Sequence, residues 1–291
     1  MDETLGVLAH HGGLIAEHPV LTVGILRAVA RPGGLELELM ARRPPGRARS
    51  APTPRNLLPP YDEGLDLRIA WLDETGRARW EYPAGSSSSS GAHGHNLQLL
   101  MRLPPMFDRL SLVLAWPEIG FPETVVDLPL PSRATVDRDT VSIWDAPVRT
   151  TRPPAALTYR SGDFAHSEPD AETGRMIAPP QVLARTSDAV VVLNRLTGIG
   201  DTLSFELVCL AAADIPHDLT RIAGASVAVV QGAEAVWARS HTASASGGDS
   251  SFESAAEYTV ARPAGDVLHL LISWPESGLP DTVVAIPLNA G

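Results

Sequence analysis

Lysine is missing altogether: all 23 basic side chains other than histidine are arginine. A chain without lysine has no P-loop lysine, no Schiff-base lysine and no lysine to pair with the phosphates of a kinase nucleotide. That sets aside the common nucleotide-triphosphate and pyridoxal-phosphate enzymes. A single cysteine, Cys209, rules out an internal disulfide framework. Positive charge is also scarce in balance, with a net charge of −11. Nucleic-acid-binding proteins usually carry a basic face, so nucleic acid is not expected as a partner. No apolar run approaches the roughly 20 residues of a membrane span. The opening Met1-Asp2-Glu3-Thr4-Leu5 lacks the basic and apolar regions of a signal peptide. A cytoplasmic protein without a membrane partner is expected.

Internal repetition dominates what is present. Leu114-Ala-Trp-Pro-Glu-Ile-Gly-Phe-Pro-Glu-Thr-Val-Val-Asp-Leu-Pro-Leu130 recurs as Ile272-Ser-Trp-Pro-Glu-Ser-Gly-Leu-Pro-Asp-Thr-Val-Val-Ala-Ile-Pro-Leu288, offset by 158 positions without a gap. Leu35-Glu-Leu-Glu-Leu-Met-Ala41 matches Leu203-Ser-Phe-Glu-Leu-Val-Cys209 at an offset of 168. The chain is a tandem duplication. The larger offset upstream assigns extra residues to the first copy, most naturally between Arg42 and Glu63.

Leu110, Leu112, Leu114 and Trp116, like Leu268, Leu270, Ile272 and Trp274, fall at every second position, the period of a half-buried strand. Strands are expected in the first copy near 20–30, 35–42, 65–72, 77–83, 94–103, 109–116 and 124–130. In the second they are expected near 188–196, 202–210, 225–230, 234–240, 252–261, 266–274 and 282–288. Gly, Pro, Asp and Ser separate them, and no segment sustains a helical period. This pattern predicts an all-β protein of two tandem antiparallel β-sandwich domains, Ig-like or jelly-roll-like, of about seven strands each. The expected layout is an N-terminal extension (1–17), a first repeat (18–131), a linker or crossing segment (132–180) and a second repeat (181–291). The linker holds one candidate strand, Thr140–Trp144.

The repeated turn has a mechanical reading. Pro117 cannot donate to a ladder, so pairing stops after Trp116. Gly120 can take positive φ, and Thr124-Val-Val starts a β-branched strand. Trp274, Pro275 and Gly278 repeat the device. Both tryptophans share the parity of the leucine face, which makes them core plugs, and Glu118 and Glu276 are expected to accept backbone N–H bonds within the turn.

Arg185-Thr-Ser-Asp-Ala-Val-Val-Val-Leu, Leu203-Ser-Phe-Glu-Leu and Trp274-Pro-Glu-Ser-Gly-Leu-Pro-Asp-Thr together resemble a family of small β-sandwich proteins of high-GC Gram-positive bacteria with a terminal Trp-Pro-x-x-Gly signature. The resemblance covers nearly all of the second copy and, more loosely, the first. It implies a sandwich fold and no catalytic residues.

Chemistry-bearing clusters are sparse. His93 and His95 lie in a Ser/Gly-rich stretch read as a loop (Ser86 to Gly94), without a third metal ligand nearby. Asp163, His166, Glu168, Asp170 and Glu172 lack the spacing of a calcium loop and read as a solvated linker. Gly198-Ile-Gly200 is not a dinucleotide fingerprint, since no third glycine or helix follows. Cys209, on the apolar parity, reads as a buried inert thiol. No catalytic residue, metal or cofactor is expected. The clearest difference between the copies is a run of arginines, Arg42, Arg43, Arg47, Arg49 and Arg55, in an acid-free, Pro-rich loop; the second copy has Ala211-Ala-Ala-Asp-Ile-Pro there. Such a loop could dock an acidic partner or a phosphate-bearing surface. The expected function is a non-enzymatic interaction or structural subunit whose partner is another protein. Trp71, Trp80, Trp144 and Trp237, unassigned by the core pattern, keep a carbohydrate- or small-ligand-binding sandwich as the alternative. An enzyme with a site between the copies is a third reading.

Overall fold

The computed structural model describes residues 3–45, 67–91, 94–161, 170–212, 224–248 and 251–288. In chain order the first strands are β1 (Thr4–Leu5), β2 (Val7–His10), β3 (Gly13–His18), β4 (Leu21–Arg31), β5 (Gly34–Arg43), β6 (Arg68–Leu72), β7 (Ala78–Glu81), β8 (Gly85–Gly91), β9 (Gly94–Leu103), β10 (Arg109–Trp116) and β11 (Phe121–Pro129). Between the copies come helix α1 (Arg133–Asp139), β12 (Val141–Ser142), β13 (Thr150–Thr151) and β14 (Thr158–Ser161). The second copy contains β15 (Arg175–Ala178), β16 (Gln181–Arg185), β17 (Ala189–Ile199), β18 (Thr202–Ala211), β19 (Ser226–Gln231), β20 (Glu234–Trp237), β21 (Ser240–Gly248), β22 (Ser251–Ala261), β23 (Val267–Trp274) and β24 (Leu279–Pro287).

The protein is all-β with a sandwich in each copy, as the alternating pattern predicts. In the first, one sheet runs β2-β4-β5-β9-β8, with β3 also on β4, and the other runs β11-β10-β6-β7. Leu37, Leu39 and Leu99 from one sheet and Ile69, Leu112 and Leu114 from the other form a single core. The second copy repeats both sheets as β15-β17-β18-β22-β21, with β16 on β17, and β24-β23-β19-β20. Its core joins Leu203, Phe205 and Tyr258 to Leu268, Leu270 and Ile272. Equivalent registers agree residue for residue: Val113 faces Ala70 and Val125, as Leu271 faces Ala228 and Val283. Even the bulges recur, before Arg27 in β4 and before Arg195 in β17.

Trp116 and Trp274 are each 1% exposed and plug the two cores. A 3₁₀ turn follows each, Pro117–Ile119 and Pro275–Ser277, closed by Gly120 at φ 82° and Gly278 at φ 75°. Strand pairing resumes at Phe121 and Leu279, earlier than the β-branched runs suggest. Pro122 and Pro280 fall in the register breaks between Thr124 and Phe121 and between Thr282 and Leu279, where a missing N–H interrupts no regular ladder.

The compact units are not divided where the sequence reading drew its boundaries. One comprises Gly6–Thr140 with Asp170–Arg175; the other comprises Met1–Leu5, Val141–Pro169 and Met176–Gly291. Residues expected as an N-terminal extension form β1, β2 and β3. The counterparts of β2 and β3 at the offset of 168 are β15 and β16, so the duplication reaches back to Val7 and Arg175. Glycines, histidines and prolines interrupt these strands, and each pairs along a short stretch, so the alternation is faint. The expected linker is ordered structure in large part. Ser132 caps α1 by accepting from the Thr135 N–H, and Thr4–Leu5 pair with Ser142 and Val141. The serine-rich stretch 85–91, read as a loop, is an edge strand in continuous register with β9. Its serines are exposed, so backbone pairing rather than side-chain pattern holds it.

Replacing Trp116 or Trp274 by alanine removes a fully buried indole and is expected to cost about 3–5 kcal/mol in the unit concerned. Equilibrium denaturation of the two variants is the check.

Candidate interaction site

Of the five arginines expected to form a docking loop, Arg42 and Arg43 end strand β5, and Arg47, Arg49 and Arg55 lie outside the described residues. Arg42 pairs with Asp170 and, through Nε at 3.0 Å, with Glu172. Glu172 is buried and also accepts from the Thr22 hydroxyl at 3.4 Å. Two members of the acidic run read as solvated therefore hold a short 3₁₀ turn (Ala171–Thr173) within the first unit. Gly24 makes room for it: a Cβ there would lie 2.0 Å from the Glu172 carbonyl oxygen. Arg43 places its guanidinium 5.3 Å from the centre of the Trp116 ring, a cation–π contact. The equivalents of this pair, Leu210 and Ala211, have neither charge, so the arginines compensate for a difference in local packing.

A second set of charges escaped the sequence reading. Arg27 stands directly across from Glu38, and Arg195 across from Glu206, both just past the shared bulge. In the first copy Arg27 and Arg31 both bind Glu36, and Gln98 donates to Glu38. Burial pushes the Glu36 carboxyl up, but the two guanidiniums outweigh it and hold it below its ordinary value. In the second copy Arg195 binds Glu257, and Asn194 donates to Glu206 at 2.7 Å. The visible signal was an arginine inside an apolar strand, repeated at the offset of 168.

Glu118, expected to bind turn amides, instead takes a bidentate grip on buried Arg68 at 2.6 and 3.0 Å. The arginine's equivalent is Ser226, and Glu276 is exposed. Cys209 is buried, and its thiol is pushed up to about 11, by burial first, against a hydrogen bond from the Ala225 N–H. His95 contacts the Ser90 hydroxyl at 2.8 Å through Nδ1. His93, Asp163, His166 and Glu168 lie outside the described residues, among which no group of three or more His, Cys, Asp or Glu is arranged to hold a metal. No helix among the described residues is long and apolar enough to cross a membrane.

The four unassigned tryptophans are all half-buried. Trp71 packs on the first core and donates Nε1–H to Glu81 at 3.4 Å. Trp144 packs on a small cluster with Leu5 and Ile143. Trp237 is stacked by Tyr159, with ring centres 5.8 Å apart and planes 15° from parallel. Trp80 makes no ring contact among the described residues, and nearby Tyr82 is 66% exposed.

The sheet margins differ between the copies. In the second, β13 pairs antiparallel with β24 and β14 pairs parallel with β20, closing both margins of the four-stranded sheet. In the first, β11 and β7 end the sheet, and no described strand flanks either. β8 and β21 likewise end the larger sheets, with exposed side chains from Ser86 to Ser90 and from His241 to Ser246.

No protein family and no curated protein matches the chain. Among solved structures, the N-terminal periplasmic domain of ScsB from Proteus mirabilis aligns with 97% of this chain and 100% of its own, at 12% identity and a TM-score of 0.25. Bovine butyrophilin aligns with 87% of this chain and 91% of its own, at 11% identity and a TM-score of 0.23. A chain from the complex of ICOS with ICOS-L and an anti-ICOS-L VNAR domain aligns with 88% and 96%, at 12% identity and a TM-score of 0.21. Scores this low carry no argument about fold or function, and nothing is transferred from these proteins.

Three outcomes follow from the charges. Glu118→Ala leaves Arg68 buried without its carboxylate and is expected to destabilise by about 3–5 kcal/mol, whereas exposed Glu276→Ala should stay within about 0.5 kcal/mol; denaturant melts of both variants decide this. Glu36 has a lowered folded-state value, so its contribution is full above its ordinary value of 4.5 and is lost as pH falls through the lower one. Glu36→Gln should therefore flatten the acid limb of the stability–pH profile. At pH 8 a thiol reagent should leave Cys209 unmodified until denaturant is added, because the thiolate is suppressed by burial.

Proposed function

We propose that the protein is a non-enzymatic interaction or structural subunit that works through contacts with another protein at its sheet margins. The observation that carries this reading is the unequal closure of two equivalent four-stranded sheets. One is flanked on both sides by the chain itself, while the other, among the described residues, ends at β11 and β7. An open strand margin presents a row of backbone donors and acceptors to any chain that can pair with it. The charged groups that first suggested a docking loop support the reading indirectly. Of the five arginines in that run, Arg42 and Arg43 are engaged inside the first unit, and Arg47, Arg49 and Arg55 lie outside the described residues. Three of the four half-buried tryptophans have packing or hydrogen-bond partners of their own, which favours a protein partner over a sugar.

In-cell cross-linking followed by purification from the native host tests this. A protein recovered in near-stoichiometric amount, attached through residues of β7, β8, β11 or β21, is the expected result. Recovery of the chain alone, with no cross-linked partner, would overturn the proposal.

A further inference from the structure

In the second unit the outer face of the larger sheet is apolar and covered. Val191, Leu193, Leu207 and Cys209 enter the main core. Val190, Val192 and Val208, on the opposite parity, bury with Val182 against Leu5, Ile143 and Ala146. The cover is a two-strand clip. Thr4 and Leu5 pair with Ser142 and Val141, and the Ile143 N–H donates to the Glu3 carbonyl at 3.0 Å. Arg185 of β16 fastens it, donating to the Ile143 and Ala146 carbonyls at 2.9 and 3.0 Å. Half of this clip is therefore the start of the chain. It precedes the first copy in sequence, yet it belongs to the unit built by the second.

In the first unit the same face has different chemistry. Thr22, Gly24, Met40 and Arg42 take the positions of Val190, Val192, Val208 and Leu210, register for register. Their cover is the 3₁₀ turn Ala171–Thr173, which lies just before the second copy in sequence but belongs to the unit built by the first. Glu172 accepts from the Thr22 hydroxyl and pairs with Arg42, and Arg42 also holds Asp170. Gly24 leaves the turn its space, and an isolated bridge joins Arg175 to Gly12.

The two covers are not interchangeable. A carboxylate set over Val190 and Val192 would be buried without a partner, and a leucine set over Thr22 and Arg42 would leave their polar atoms unsatisfied. Gly6 marks where the chain passes from one unit to the other. A Cβ there would lie 2.6 Å from the Ala30 carbonyl oxygen, so the crossing needs a residue without a side chain.

We propose that the two halves of the chain are each other's binding partners: each supplies, from outside its own copy, the segment that covers the outer face of the other's larger sheet. Residues 3–5 are the ligand of the valine face, and residues 170–175 are the ligand of the face formed by Thr22, Gly24 and Arg42. A chain cut between the copies therefore stays together without its covalent link. Both partners are segments of this chain, independent of any protein docked at the sheet margins.

The test uses the full chain with a site-specific protease sequence inserted between Ala155 and Ala156, both exposed. After cutting, native mass spectrometry at about 1 μM is expected to find the two fragments together at the mass of the uncut chain, as a Kd below that concentration requires. Fragments that separate there would overturn the inference. Hydrogen exchange on the uncut chain, which needs no insertion, identifies the faces responsible. Leu5→Ala leaves a cavity under the clip and is expected to speed exchange at least about tenfold across 189–211 while leaving 21–43 unchanged. Glu172→Ala should do the reverse, speeding 21–43 and leaving 189–211 unchanged. A response confined to the copy nearer in sequence, or no response in either, would overturn the inference even where the cut fragments stay together.

Discussion

Every strand uses its backbone hydrogen bonds on two sides, so a sheet that does not close into a barrel must end somewhere with one side unsatisfied. That constraint organises this protein more than any single side chain. Each copy stacks two open sheets, and each sheet has two margins. The larger sheets end in β8 and β21, built from serine, alanine, glycine and threonine with one histidine, His241, so their stability comes from backbone pairing with β9 and β22. The smaller sheets differ among the described residues: one is flanked by β13 and β14, and the other ends at β11 and β7. Margin closure also explains why the inter-copy stretch is ordered at all. Residues 150–161 have few apolar side chains, and their pairing partners give them a defined path.

The centres of the sheets were legible in the sequence because burial on one face enforces the period of two. Leu35, Leu37 and Leu39 announce β5, and Leu110, Leu112, Leu114 and Trp116 announce β10. The margins were not legible, for the same reason. Ser86–Ser90 have no buried face, so no alternation marks them, and composition alone points to a loop. Thr150–Thr151 are too short to show a period. Val7–His18 are broken by Gly12 and Gly13, and only the second copy's Gln181–Arg185 reveals them as a repeated element. Strand parity placed Trp116 and Trp274 correctly, yet turn chemistry misread Glu118, because the fate of that carboxylate depends on Arg68, fifty positions away.

The arginines show how far a local pattern can be trusted. Five in a short acid-free run resemble a surface patch, but what a guanidinium does is decided by what folds onto it. Arg42 meets Asp170 and Glu172 only because the chain returns to β4 and β5 more than a hundred residues later, and Gly24 leaves space for that return. Arg27 and Arg195 are the converse case. Neither stood out as a cluster, but each lies at a bulge that turns it towards carboxylates on neighbouring strands. A buried arginine with two carboxylates contributes modestly to net stability, and its loss on one side is costly, so such groups fix register more than they add free energy.

A duplicated domain frees one copy from a constraint that the other still meets. If both four-stranded sheets were strapped, the margins would be closed and the two copies interchangeable; if neither were, the chain would carry two equivalent sites. Here the second copy satisfies its own margins with residues 150–161, and the first, among the described residues, ends at β11 and β7. An open margin alone could be a sheet that simply stops, and natural sheets protect such ends with charge, proline or a bulge. β11 carries all three near its ends, with Pro122, Pro129, Glu123, Asp127 and a register break beside Trp116, and β24, with Pro280, Pro287 and the same break, still pairs with β13 between them.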